Sequence, residues 1–415
     1  MSIFHHAANC VKHYSSYLNY DLGKIYLNGR NNVKNNSMEH LEAAVQWICR
    51  AQDATADGGV ARSYSLVYNQ YFDCSGWVAS YPETTGYIIP TMFSYAHLTK
   101  RQDIFDRAVR MAEWECDIQM ENGAVRGGTI DEPPSPAIFN TGQVIFGWIR
   151  AFKETGRNKY LACAVKAGDF LIEHQERDGA WRKNLSKFAS DQMPFYTYNT
   201  RTAWALLLLS TVSNDIRFKD AAIRNIEFAL DQQIDNGWFK CNCLQYSFQP
   251  LLHTIAYCIQ GILESGVLLN NQTYINRAQK AADALIQKQR HDGSLAGRFD
   301  QTWEPTVSWS CLTGDAQMSI IWSRLYQITG ESKYLDCIKK VNRYLKSAQL
   351  LKTHNPDIYG GISGSDPIHG RYGKFEILNW AVKFFIDALI LELSVHKPSD
   401  EQPFKDFNLR LVQFT

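Results

Sequence analysis

Apolar residues recur at helical spacing through most of the 415-residue chain, and they do so in two alternating styles. In one style, apolar positions are separated by charges, as in Ile104–Gln119 and Tyr160–Gln175. It predicts amphipathic helices near 38–52, 103–119, 158–175, 217–233, 272–289 and 332–349. The other style is apolar around most of the circumference, as in TAWALLLLSTV (202–212) and NWAVKFFIDALILEL (379–393). It predicts helices near 84–98, 141–155, 199–212, 252–267, 314–329 and 376–394. A helix apolar on most sides is covered on most sides, so the second set is inner and the first outer.

Each outer stretch runs out at a glutamine, and a polar loop rich in Gly, Asp or Asn follows. The six are Gln52, Gln119, Gln175, Gln233, Gln289 and Gln349, at intervals of 67, 56, 58, 56 and 60 residues. A period of about 58 residues marks a repeat architecture. Pairing each outer helix with the next inner one gives six helical hairpins, and the last inner helix must close against the first outer one. An open superhelix would leave that terminal inner helix without a partner. The predicted fold is therefore all-α: an (α/α)6 toroid of six helical hairpins over residues 38–395. A short N-terminal arm occupies 1–37 and a tail 396–415.

Short connections such as Thr99–Gln102 and Thr329–Lys333 lie at the end opposite the Gly-rich loops. The loops at 57–83, 120–140, 176–198, 234–251, 290–313 and 350–375 are long. Long loops in a compact domain carry function more often than not, so chemistry is sought at their end. Strand signals are sparse; only Ala61–Tyr68 alternates, which predicts a small hairpin in the first long loop.

A net charge of +1 removes the electrostatic case for nucleic acid or an anionic membrane as partner. No apolar run is long enough for a membrane span. The N-terminal segment has no basic stretch followed by an apolar one, so it does not read as a signal peptide. Ten scattered cysteines predict reduced thiols and a cytoplasmic protein. The one close pair, Cys241 and Cys243, lacks the second pair of a zinc site, so neither metal nor other cofactor is expected. Aromatic residues make up 13% of the chain, a share that fits a large core and also suits stacking on sugar rings.

Candidate chemistry gathers where long loops enter inner helices. Glu83 precedes the first of them, in SYPETTGYIIP, with Tyr81, Pro82, Trp77 and Tyr87 to shield it; burial would raise its pKa toward that of a general acid. As a first-turn acid it would equally complement the helix dipole. Arg62 and Tyr64 share its loop, as a surface ion pair and packed ring or as substrate contacts. Tyr198-Asn199-Thr200-Arg201 opens the third inner helix. There Asn199 suits an N-cap, and Arg201 suits a bidentate hold on a carboxylate. Gln143 could point inward from the second helix. On the fourth, His253 and Tyr257 share a face at i, i+4, where a satisfied core histidine is the commoner outcome. Asp315 and Gln317 open the fifth helix, with a dipole acid as the plain reading of Asp315. Trp380 and Lys383 lie on the sixth; Lys383 either snorkels outward or pairs with an acid across the cavity. One polar residue per inner helix would be noise, but its repetition around a ring describes a polar-lined cup.

DGGVAR, SYPETTGYIIPT, FNTGQVIFGW, YNTRTAWAL, CLTGDAQ and GSDPIHGRYG…LNWAVKFFIDAL together resemble the six-hairpin toroid proteins encoded with bacterial exopolysaccharide and capsule genes. Some of those carry a delta-aminolevulinic acid dehydratase label, but no (β/α)8 pattern or Schiff-base lysine constellation appears here. Unsaturated-glucuronyl hydrolases, sugar epimerases and the toroid domains of polysaccharide lyases are wider kin. The resemblance implies an enzyme of bacterial polysaccharide biosynthesis or metabolism. Its substrate would be an oligo- or polysaccharide, free or lipid-linked, containing uronic acid. Glycosidic hydrolysis would pair Glu83 with Asp315 as acid and base. Elimination or epimerisation would use Tyr64, Tyr198 or His253 as base, with Arg62 or Arg201 neutralising the carboxylate. A non-catalytic glycan-binding toroid is a third reading. A terpenoid-cyclase or prenyltransferase-like toroid ranks last, because no Asp-rich ionising motif is present.

Overall fold

Helices form where the two apolar patterns place them. The computed structural model describes residues 36–190 and 193–395. The expected arm and tail lie outside these, apart from Asn36 and Ser37. The inner helices are α2 (Pro82–Thr99), α4 (Ile138–Thr155), α6 (Thr200–Ser213), α8 (Leu252–Leu268), α10 (Leu312–Thr329) and α12 (Asn379–Val395). The outer ones are α1 (Ser37–Asp53), α3 (Gln102–Asp117), α5 (Asn158–Glu173), α7 (Ile216–Asp231), α9 (Gln272–Ile286) and α11 (Ser332–Ala348).

Each inner helix packs on the inner helices before and after it, and α12 returns to α2, which closes the ring. The close hairpins join each inner helix to the outer helix that follows it, and α1 packs on α12. This corrects the expected pairing of outer helix with next inner helix. A short turn such as Lys100–Arg101 or Gly156–Arg157 forces antiparallel contact, whereas the long loops let their flanking helices part. Lys100, Gly156, Asn214 and Gly330 end their inner helices in the left-handed region. Glycines set the tightest inner contact. A Cβ on Gly147 of α4 would stand 2.3 Å from the Gly86 carbonyl of α2, so those backbones touch.

The six periodic glutamines explain why the outer ring holds together. Gln233 Nε2 donates to the Gly237 carbonyl in its own loop at 3.0 Å and to the Arg277 carbonyl on the next outer helix at 3.0 Å. Gln52 does the same to Gly58 and Arg107, Gln119 to Gly123 and Cys163, and Gln175 to Gly179 and Ala221. Gln289 bonds Gly293 and Cys337. Gln349 completes the circle by bonding Gly360 and the His40 carbonyl of α1, each at 2.9 Å. The glycine is required at these joints. Gly123 has φ 87°, and a Cβ there would lie 2.3 Å from the Lys166 carbonyl oxygen.

Small sheets tie the long loops together at one end of the toroid. β1 (Ser63–Asn69) and β2 (Cys74–Trp77) form the expected hairpin, and β5 (Glu376–Leu378) adds to β1 with Ser63 opposite Leu378. β3 (Ser310–Cys311) pairs with β4 (Ser365–Asp366). The first and last loops are thus joined where the ring closes. Among the described residues no helix is long and apolar enough to cross a membrane.

Candidate functional site

All six inner helices point their N-termini at the end where the long loops gather. Partial positive charge from each terminus therefore falls on one hollow. Glu83, in the first turn of α2, is half-buried there. The Tyr81 hydroxyl donates to its Oε2 at 2.8 Å. Burial pushes the Glu83 pKa up to about 7, against the pull of the Tyr81 bond and of the charges on Arg62 and Arg201. At neutral pH the group is therefore poised between acid and carboxylate.

Arg201 lies beneath it in the second position of α6, 1% exposed. Its Nε donates to Gln143 Oε1 at 2.7 Å and its Nη1 to Gln260 Oε1 at 2.6 Å. Tyr257, Phe146, Trp204 and Phe384 surround the guanidinium, with ring centroids 5.0 to 5.5 Å from Cζ. The neighbouring cations each have a carboxylate. Arg62 pairs with Glu376 at 3.1 Å, Arg324 with Glu264 at 2.7 Å and Lys383 with Asp387 at 2.5 Å. Arg201 has no ion pair among the described residues; its two partners are neutral amides. A buried cation held only by dipoles is costly, and the cost falls when an anion arrives.

His253, at the start of α8, donates from Nδ1 to Gln317 Oε1 at 2.7 Å. That bond leaves the Nε2 lone pair without a partner among the described residues. Burial lowers the His253 pKa to about 3, Gln317 opposes the shift and Arg201 adds to it, so the ring is neutral at pH 7. Tyr257 packs on it at 4.3 Å and also on Phe384 at 5.9 Å. In the closed order of the inner ring, α2 and α8 stand opposite one another. Glu83 and His253 therefore stand at the starts of opposite inner helices, and Arg201 opens α6, the neighbour of α8.

Other expected site residues pack around the same inner helices. Tyr198 packs edge-on to Phe139 at 5.1 Å, and Phe139 meets Tyr257 at 5.1 Å. Tyr87 contacts Phe384 at 5.7 Å. Trp380 donates to the Tyr372 hydroxyl at 2.7 Å and lies under Arg62, whose Cζ is 5.0 Å away. Asn199 is buried at the N-cap position of α6, yet its side chain makes no capping bond.

Several expectations change. Tyr64 and Trp77 stack edge to face at 5.1 Å, and Trp77 reaches Trp47 of outer helix α1 at 5.3 Å. They belong to the seam between hairpin and outer layer, because strand alternation turns Ser63 and Ser65 to the other face. Lys383 neither snorkels nor crosses the cavity: it pairs one turn along its own helix with Asp387, which also accepts from Thr91 at 2.7 Å. Burial lowers its pKa to about 8. Gln143 and Gln317 spend their carbonyl oxygens on Arg201 and His253, so they position those groups.

Asp315 accepts the Leu295 N–H at 2.9 Å. The same bond in two other repeats is accepted by hydroxyls, Thr85 from Val60 at 3.0 Å and Thr141 from Val125 at 2.9 Å. The charges that act on Asp315 are Arg290, Asp366 and Asp292, not Glu83, and burial pushes its pKa well up. Its position is that of a loop tether.

Gln260 was readable as i+7 from His253 on one face of α8, and Asp387 as i+4 from Lys383. Tyr372 and Glu376 had no such signal, because loop 350–375 and the strand after it have no helical register to reveal them. Among the described residues no group of His, Cys, Asp or Glu side chains could share a metal ion, and the nine described cysteines are free.

No protein-family model matches the chain, and no curated protein matches it. Solved structures do. A heparin-specific unsaturated glucuronyl hydrolase is 16% identical at TM-score 0.68, over 87% of this chain and 98% of its own. A sugar epimerase from a ruminal bacterium is 14% identical at TM-score 0.70, over 87% and 98%. Cellobiose 2-epimerase from Bacillus thermoamylovorans is 14% identical at TM-score 0.68, over 86% and 98%. At these identities the likeness establishes the (α/α)6 toroid fold.

Proposed function

We propose that the protein is an enzyme acting on a uronic-acid-containing glycan, with the carboxylate of one sugar bound at Arg201. The observation that carries this reading is the buried charge of Arg201, which has two neutral amide partners and no ion pair among the described residues. Aromatic walls suit the apolar faces of a pyranose, and a carboxylate supplies the missing counter-charge. Toroids of the same shape that act on glucuronyl or other sugars agree with it.

In the hydrolytic reading, Glu83 in its acid form protonates the departing glycosidic oxygen. His253 Nε2, on the opposite wall, takes a proton from the attacking water. Anion binding at Arg201 offsets one of the charges that hold His253 basicity down. A second reading is epimerisation or elimination. There His253 removes the proton beside the carboxylate and Arg201 stabilises the resulting negative charge. The proximity of a neutral imidazole to a guanidinium held only by neutral groups favours it.

Incubation with saturated and unsaturated oligouronides, read by mass spectrometry and NMR, separates the outcomes. Gain of water marks hydrolysis, a split without water marks elimination, and unchanged mass with altered couplings marks epimerisation. Arg201→Lys keeps the charge and loses the fork, so oligouronide affinity should fall at least about tenfold. Equal affinity for carboxyl-reduced glycans would refute the assignment.

A further inference from the structure

Beside the glutamine joints of the outer ring, two positions meet across neighbouring helices. One lies three residues before the glutamine, and the other is the residue whose carbonyl the glutamine bonds. Two repeats show the contact directly. Arg107, bonded by Gln52, reaches the Cys49 carbonyl at 3.3 Å, and Arg277, bonded by Gln233, reaches the Leu230 carbonyl at 2.8 Å. At the joint of Gln119 both positions are cysteine, Cys116 on α3 and Cys163 on α5. Cys49 meets Arg107 instead, and Cys337 stands in the place opposite Ile286, so neither has sulfur across its joint.

Contacts on either side fix the register of the pair. Glu113 accepts from the Tyr160 hydroxyl and from Arg157 at 2.9 Å, and Gln119 donates to the Cys163 carbonyl at 2.9 Å. Residues 113, 116 and 119 follow one face of the chain in steps of three, as do 160 and 163, so Cys116 is clamped between the two contacts. Its thiol donates to the Cys163 sulfur. That bond, with the charges of Lys166 and Lys159, draws the Cys163 pKa down against burial. Burial moves Cys49 and Cys337 the other way, to about 11. Both thiols of the pair are half-buried, open to a small reagent yet held by their helices. The thiolate is the attacking form of cysteine, so Cys163 is the more reactive of the two.

We propose that Cys116 and Cys163 are a modification site for hydroperoxides, a dithiol that closes into a disulfide between α3 and α5. The Cys163 thiolate attacks one oxygen of hydrogen peroxide, the O–O bond breaks, and the departing hydroxide takes up a proton as water. Cys163 then holds a sulfenic acid. Cys116 attacks that sulfur, the S–O bond breaks, and the Cys116 proton leaves with the hydroxide as a second water. Two thiols have lost two electrons, and one peroxide has become two waters. The pair belongs to the outer layer, and it stands whether or not the hollow binds a glycan.

Treatment of the folded full chain with equimolar hydrogen peroxide, then alkylation and non-reducing tryptic digestion, tests it by mass spectrometry. Cys116 is the one cysteine of tryptic peptide 111–126, and Cys163 of 160–166. The two peptides should appear joined, two hydrogens lighter than their sum, and dithiothreitol should release them. Cys49 and Cys337 should remain alkylated. In Cys116→Ser, Cys163 should stop at the sulfenic acid and be trapped by dimedone. Treated wild type without the joined peptides, or with Cys116 and Cys163 linked no more than Cys49 or Cys337 to other cysteines, overturns the site. Cys163 left unmodified in a folded Cys116→Ser overturns its role as the attacking sulfur.

Discussion

Replacing Glu83 by glutamine should stabilise the protein at alkaline pH while removing its activity. In the unfolded chain the carboxyl titrates near 4.5, and in the hollow burial moves it to about 7. Between these values the folded state holds the proton more tightly, so folding stability declines as pH rises. Below the lower value both states are protonated and the group costs nothing. Above the upper value both are ionised and the full penalty is present, about 3 kcal/mol. Glutamine is neutral throughout and keeps an acceptor for the Tyr81 hydroxyl. Glu83→Gln should therefore match the wild type at pH 4.5 and exceed it by about 3 kcal/mol at pH 8.5, an increase of roughly 4 °C in Tm for a domain of this length. Scanning calorimetry of both proteins between pH 4.5 and 8.5 measures the difference. In parallel, wild-type kcat/KM should fall above about pH 7 as the acid form disappears. A difference in Tm that does not change with pH, or a variant less stable than wild type at pH 8.5, would refute the claim that burial governs this carboxyl.

Two further outcomes follow from the ring and from the loop tethers. Gln349→Ala removes the donation to the His40 carbonyl of α1 and the donation to the Gly360 carbonyl of its own loop, and leaves both carbonyls seeking water; it should cost about 2–3 kcal/mol. Hydrogen exchange should rise first at the α1–α11 seam, and uniform protection there would contradict the joint's role. Asp315→Asn keeps the acceptor for the Leu295 N–H, so turnover should stay within about twofold of wild type. A loss of activity in a folded Asp315→Asn would return Asp315 to the reaction.

The architecture was legible because its causes are local and repeated. Helical periodicity separates inner from outer helices, and a glutamine before an Asp-Gly or Asn-Gly turn marks five of the six joints. Hairpin pairing lay in the short connections, Thr99–Gln102 and Thr329–Lys333 among them, and was mistaken only by joining helices across the long loops. The candidate site was proposed from helix starts, where Glu83, Arg201 and His253 stand out as polar intruders in apolar runs. It was obscure wherever a side chain's direction is set by neighbours distant in sequence. β5 pairs with β1, Tyr64 opposite Ile377, and Tyr64 packs on Trp77 at the seam with the outer layer. Asp315 resembles a catalytic acid until the Thr85 and Thr141 bonds reveal the task of its position.

The join between Gln349 and α1 uses the same pair of amide donations as the other five joins. Such a molecule has no privileged beginning. A circular permutant opened at the Gly156–Arg157 turn and rejoined between α12 and α1 would meet every neighbour it met before. Its termini would then leave from the face opposite the hollow.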